Sequence, residues 1–318
     1  MSVRTVLGDV DPSALGTVNY HEHLFQVSPL LAGDEIDDES RSGEEATLLR
    51  GSGFAAMIDA TPYGLGRQPA AVARISARAE LTVVGSTGAH REAHYADDHW
   101  LRGTDAAARA ALFTADIRDG MPAAETSLAE ARGERAVGPS GEPVRAGLIK
   151  TGIDYWAITG FERTTLEAAA AAHAETGAPI MVHLEFCTAA HEVLDLLVGL
   201  GVAADRVVLA HADRDPDPEL HAELAARGAY LGYDGIARAK VRSDAELVDL
   251  TAALVESGHS DRLLLGGDVA RRSRYVAYGG MPGLGHLGAR YVPRLRRQLG
   301  DAAVDGILVT NPARLLAV

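Results

Sequence analysis

Eight short runs of apolar, often β-branched residues recur along this chain, with helical stretches between most of them. The runs close near His23, Asp59, Gly88, Lys150, His183, His211, Asp234 and Asp268. Amphipathic or alanine-rich stretches at Gln68–Ala79, Asp105–Arg118, Glu162–Glu175, Ala189–Leu200, Pro218–Arg227 and Ala245–Glu256 have helical spacing. Alternation of this kind calls for parallel strands joined by crossover helices. Eight units fit a closed α/β barrel, the (β/α)8 TIM barrel, better than an open sheet. An open sheet would also want a glycine-rich phosphate loop after its first strand, and the sequence has none there. Ahead of the first unit, Val3 to Val18 reads as a short β-hairpin with its turn chemistry in Asp9–Gly16. Leu30 to Glu45 reads as an exposed loop entering a helix, Gly279–Gly285 as a mobile flap, and residues 303–318 as a closing helix. No linker or repeat breaks the pattern, so residues 1–318 are expected to form one domain.

Composition narrows the partners. The chain has 318 residues, 47% of them apolar, which is ample for a large core. A net charge of −14 argues against nucleic acid or an anionic membrane surface as the main partner. Cys187 is the sole cysteine, so no disulfide forms within the chain and a reducing compartment is expected. No apolar run is long enough to span a bilayer, and no basic-then-apolar leader opens the sequence. The expectation is a soluble, cytoplasmic protein.

In a barrel the functional groups gather at the C-terminal ends of the strands. His21, His23, Lys150, His183, His211 and Asp268 all fall there. Alternate residues of a strand share a face, so His21 and His23 are expected to look into the barrel while Glu22 looks away. Imidazoles joined by a carboxylate suit borderline divalent metals, zinc first, with manganese or cobalt as alternatives. Lys150 is harder to place, because an ammonium cannot donate an electron pair. Its carbamate, formed with CO2, would be an anionic bridge between two cations roughly 3.5–4 Å apart. A Schiff-base lysine, or a lysine paired with a strand-end carboxylate, are the other readings. Asp268 could ligate a metal and also accept a proton as a general base, or merely cap a following helix.

The order His-X-His, Lys, His, His, Asp is similar to that of the amidohydrolase superfamily. Tyr20-His21-Glu22-His23-Leu24, Ile58-Asp59-Ala60-Thr61-Pro62, Thr87-Gly88 and Gly147-Leu148-Ile149-Lys150-Thr151-Gly152 resemble its phosphotriesterase family, which includes the phosphotriesterase-like lactonases. Gly228–Asp234 and Thr310-Asn311-Pro312-Ala313-Arg314-Leu315-Leu316 continue the likeness across nearly the whole chain. The resemblance implies a binuclear centre with one metal on His21, His23 and Asp268 and the other on His183 and His211. Carboxylated Lys150 and a hydroxide would bridge the two, the hydroxide attacking a carbonyl or phosphoryl centre. A homodimer is implied on the same basis.

Substrate choice rests on loops. Arg271-Arg272-Ser273-Arg274-Tyr275 follows Asp268, and Lys240 follows the seventh strand. Cations gathered over a metal site in an acidic protein suggest a bound anion such as phosphate, although solvated loop arginines are common. A branch of the family acting on phosphorylated sugar γ-lactones looks similar here and grips phosphate with a Lys, an Arg and a Tyr. Lys240, Arg271 and Tyr275 are the nearest matches, with the register open by one residue. Ala89-His90 and Gly235-Ile236 depart from the quorum-lactone pattern, and the aromatic content is only 5%, so long acyl or aryl substrates are less favoured. His90 is expected near the mouth as a substrate contact or a support for the ligands, with His94 and His99 in the same loop. His173, His191, His221, His259 and His286 are expected at the surface, and Cys187 as a small buried residue. The combined reading is a metal-dependent lactonase or esterase acting on a small polar, phosphorylated sugar lactone. Aryl ester or phosphotriester hydrolysis at the same site, a Schiff-base aldolase built on Lys150, and a binding protein without catalysis are the alternatives.

Overall fold

The computed structural model describes residues 1–236, 238 and 241–318. Its strands are β1 (Val3–Thr5), β2 (Gly8–Val10), β3 (Val18–Glu22), β4 (Ala56–Asp59), β5 (Thr82–Gly88), β6 (Ala146–Gly152), β7 (Ile180–His183), β8 (Val207–Ala210), β9 (Tyr230–Tyr233) and β10 (Leu263–Leu265). From β3 to β10 each strand pairs with the next in chain order, always parallel. The Asp268 amide donates to the His21 carbonyl at 2.9 Å, so the β10 end of the sheet returns to β3 and the barrel closes. Among the described residues no helix is long and apolar enough to cross a membrane.

The crossover helices Pro69–Ala79, Ala106–Arg118, Gly160–Thr176, Ala190–Gly199, Pro218–Ala226 and Asp244–Glu256 lie where the sequence periodicity places them. Side chains of Asp105, Thr159, Asp217 and Ser243 satisfy the open amides at four of their starts, with Glu162 and Glu246 completing capping boxes at two. Apolar side chains on the outer strand faces pack under these helices, whereas Val18, Tyr20, Ile58, Val84, Leu148, Met181, Val208, Tyr230 and Leu264 fill the barrel itself. Val3 and Leu15 from the N-terminus join Leu315 and Leu316 from the C-terminus in that inner core and seal the N-terminal end of the barrel. The opposite end is left for a site.

Three expectations change. The β1–β2 hairpin reverses at Val6-Leu7, before Asp9–Gly16, whose turn residues instead shape the connection into β3. The closing helix is three pieces, Asp301–Asp305, a π-helical turn at Gly306–Thr310 and Asn311–Leu316. The glycine-rich segment after β10 is no free flap. Buried Glu45 accepts the Ala277 amide at 2.7 Å through one oxygen and the Leu284 amide at 2.8 Å through the other.

Candidate metal centre

Strand alternation decides which side chains look into the barrel. Leu148 on β6 and Met181 on β7 belong to the inner core, so Lys150 and His183, two residues on, share their face. β3 departs from this rule: its register against β4 shifts between Asn19 and Glu22. The irregularity lets Tyr20 and His21 both reach inward. Glu22 is buried in the wall between β3 and the end of β10, accepting from Asn19 Nδ2 and the Val269 amide at 3.0 Å each. His211 and Asp268 follow their strands with φ of 65° and 40°, left-handed conformations that cost a non-glycine residue about 1 kcal/mol or more.

All four imidazoles are braced from behind. His21 Nδ1 lies 3.0 Å from Asp234 Oδ2, and His211 Nδ1 lies 2.6 Å from Asp234 Oδ1. Burial alone would lift the Asp234 carboxyl, but His211 and His21 hold it well below the usual carboxylate range. An ionised carboxylate only accepts, so both Nδ1 atoms donate and both Nε2 atoms keep their lone pairs. Thr61 gives its hydroxyl hydrogen to the Phe25 carbonyl, leaving its oxygen to accept from His23 Nδ1 at 2.8 Å. Glu185 accepts from His183 Nε2 at 3.0 Å, which leaves Nδ1 of that ring bare. Burial pushes His21 down to about 4 and His211 down to about 3, and drives His183 well below the ordinary value, so these rings are neutral.

The bare nitrogens converge. Nε2 of His21 and of His23 lie 3.8 and 3.6 Å from Asp268 Oδ1. His183 Nδ1 and His211 Nε2 face each other at 2.8 Å. Two lone pairs at that separation repel unless a cation sits against them, and neutral imidazoles with a carboxylate are the donors a borderline divalent metal takes. The residues fit a metal centre. Asp234 also lies within ligating range of His21 and His211. Because both its oxygens already accept from Nδ1–H groups, its part here is to orient the rings.

Lys150 is fully buried between these groups, with Nζ 3.2 Å from His21 Nε2 and 3.1 Å from Met181 Sδ. No carboxylate of the described residues lies within ion-pair distance of it. A ring nitrogen and a thioether can accept from the amine but offer an ammonium no counter-charge, and burial lowers the amine to about 8 against the pull of Asp268 and Asp234. Gly88 makes room here: with φ of 105°, a Cβ on it would overlap the Lys150 carbonyl. Asp268 caps no helix, because the turn Arg272–Arg274 starts from Arg271. Its Oδ2 accepts from Arg214 Nη2 at 3.2 Å and from Arg238, which also donates to the Asp268 carbonyl at 2.6 Å. Burial opposes ionisation of Asp268, but Arg238 and His21 hold it well below the usual range.

A cleft of about 340 Å³ opens over this centre, and its walls include His90, Arg91, Glu185, Arg214, Arg238 and Arg271. The His90 ring lies tilted against two others, its centroid 4.5 Å from that of His183 and 4.0 Å from that of His94. Arg271 stands at the rim, paired with Asp34 at 3.3 Å. Tyr275 does not reach the cleft: it is wholly buried and its hydroxyl donates to the His23 carbonyl. Lys240 lies outside the described residues. His94 is buried against Ser28 Oγ at 2.9 Å, and Cys187 is buried, its thiol pushed up to about 12 by desolvation. His221 is not at the surface, because its helix turns it inward to the Tyr233 hydroxyl at 2.6 Å and the Ala212 carbonyl at 3.0 Å. Asp234, Arg214 and Arg238 were not among the expected site residues. Asp234 closes an apolar run as the candidate ligands do, and Arg214 follows His211 by three residues. Neither spacing distinguishes a bracing residue from a bystander.

The sequence pattern of the Phosphotriesterase family matches residues 1–316. A phospho-furanose lactonase of Mycoplasmopsis synoviae is 28% identical, the match covering 99% of this chain and 91% of that protein. The crystal structure of a lactonase from Listeria monocytogenes superposes with a TM-score of 0.88 at 28% identity, covering 100% of this chain and 99% of that one. The phosphotriesterase homology protein of Escherichia coli, solved with phosphate in its active site, gives 0.83 at 27% identity over 96% and 99% of the two chains. Continuous likeness across the barrel, together with inward-facing imidazoles, lysine and aspartate at the expected strand ends, places this chain in the phosphotriesterase family of metal-dependent hydrolases.

Proposed function

We propose that this chain is a lactonase that opens a small, polar, phosphorylated sugar lactone. The observation that carries the reading is the convergence of four unprotonated imidazole nitrogens and a buried lysine without a carboxylate partner among the described residues, beneath a cleft walled by arginines. The phospho-furanose lactonases among its relatives support the substrate class. In this reading His21, His23 and Asp268 hold one divalent cation and His183 and His211 the other, zinc before manganese or cobalt, with Lys150 as its carbamate between them. Bound there, two such cations supply Lewis acidity and a water acidified toward neutrality.

The chain's own groups do the rest. Asp234, Thr61 and Glu185 hold ring tautomers so that no imidazole hydrogen points into the centre. Asp268 takes the proton of the attacking water and passes it to the ring oxygen as the C–O bond breaks, which balances the addition of water across the ester. With Arg214 and Arg238 both on Oδ2, Asp268 is a weak base. An anionic substrate that competes for those guanidiniums frees it, so the phosphate contributes to turnover as well as to binding. Arg271, Lys240 and His90 are proposed as further substrate contacts, and Tyr275 as a brace beneath them.

A panel of aldonolactones and their phosphates, assayed with Zn²⁺ or Mn²⁺, tests the substrate. The phosphorylated members should show the higher kcat; inactivity on all of them with good turnover of aryl esters would sink the claim. Lys150→Ala should lose metal and regain part of it, with activity, in short carboxylic acids. Stoichiometric metal beside an unmodified lysine would contradict the carbamate, and borohydride trapping of a carbonyl substrate on Lys150 would replace the hydrolase with a Schiff-base lyase. A cytoplasmic homodimer belongs to the same reading, checked by fractionation and sedimentation.

A further inference from the structure

Arg214 and Arg238 are walls of two cavities. One is the cleft over Asp268; the other, of about 140 Å³, lies on their far side. The second cavity is polar at Asp213, Arg238 and Arg242 and apolar at Phe186, Val241 and Leu247. Asp213 is 1% exposed, and its Oδ2 accepts the Gly235 amide at 2.7 Å. Its Oδ1 is buried with no hydrogen-bond partner among the described residues, and the same holds for Nε of Arg238 and of Arg242. Native proteins rarely leave an acceptor and two donors bare around one cavity.

We propose that this cavity is a subsite for a hydroxylated carbon tail, a claim that rests on the lactonase reading above. A hydroxyl both donates and accepts, so it can satisfy Asp213 Oδ1 and an arginine Nε–H together. An anion suits the place less well. Arg214 and Arg238 meet the phosphate on their cleft side, whereas on this side the buried Asp213 carboxyl would repel a negative group. The apolar side suits the C–H faces of a carbon chain. At about 30 Å³ per water, the volume is close to that of a short polyol. A lactone held over Asp268 would send its exocyclic hydroxyls past the two arginines into this space.

The test compares erythrono-γ-lactone, which has no exocyclic carbon, with galactono-γ-lactone, which carries an exocyclic diol, on the metal-loaded protein. Val241→Trp narrows the cavity at a residue that is 58% exposed, so folding is preserved, and Arg242→Gln changes one bare donor. Each should lower the ratio of kcat/KM for the longer lactone over the shorter by about tenfold or more. An unchanged ratio in both variants overturns the subsite and leaves the lactonase reading standing. If the wild type opens neither lactone, the reaction has failed, and the cavity is judged by saturation-transfer NMR with erythritol. Transfer to erythritol that Val241→Trp abolishes supports the subsite; its absence in the wild type means the cavity holds water only and overturns it.

Discussion

A neutral imidazole carries one hydrogen, and the group standing behind the ring settles which nitrogen keeps it. Asp234 stands behind two rings, His21 and His211. In Asp234→Asn, an amide NH2 would confront one of the Nδ1–H groups, forcing that ring to change tautomer or turn. Metal affinity and activity should fall about 10–100-fold with little change in Tm, read by metal analysis and steady-state kinetics. Wild-type metal content in that variant would mean that the rings are held by packing alone. The residues proposed as ligands stand out in the sequence because histidines, a lysine and an aspartate close apolar strands whose ends the fold brings together. Asp234, Arg214 and Arg238 do not, since a residue that braces a ligand needs only to reach it. Tyr275 departs from the expectation for a related reason: it follows Asp268 in the loop, but its side chain turns into the core.

Periodicity and capping make the elements themselves readable. Helix boundaries fall within two residues of the expected ones because Asp105, Thr159, Asp217 and Ser243 mark the starts of their helices. The N-terminal hairpin is different, since its reversal uses Gly8 at φ 118° and a two-residue turn without a strong signature. The stronger signals, Asp11-Pro12 and Gly16, belong to the next connection. The segment after β10 shows what glycine content cannot reveal, namely a distant carboxylate that ties the loop down. Glu45→Gln would set an amide donor against one of the two backbone amides it now accepts. A loss of about 1–3 kcal/mol is expected, with faster hydrogen exchange at Ala277 and Leu284. Unchanged exchange at both amides would show that the loop is held by its own turns.

A barrel plugged at one end and polar at the other buries many titratable groups, and they pull stability in opposite directions with pH. Burial, then Arg91, pushes His94 down to about 3, whereas an unfolded histidine titrates near ~6.5. Below that pH the unfolded chain binds a proton that the folded chain refuses. The contribution is therefore complete above about pH 6.5 and falls by about 1.4 kcal/mol per unit as the solution is acidified. Buried acids such as Glu22 and Asp213, held above their ordinary values, act in the opposite sense. Comparing wild type with His94→Gln cancels them. Relative to its own stability at pH 7.5, the variant should be spared about 2 kcal/mol of the acid loss at pH 5, measured by denaturant titration. Parallel pH profiles would mean that His94 takes up its proton without opening the fold.

The carboxylate shared by His21 and His211 has an energetic meaning beyond orientation. In the proposed ligand set one ring belongs to each half of the centre, so settling either ring fixes Asp234 and thereby prepares the other. Loading of the metal-free protein should therefore be cooperative: calorimetric titration with zinc fills two sites per chain in one transition, and a chelator empties them together. In Asp234→Ala the sites should separate into two transitions of unequal affinity.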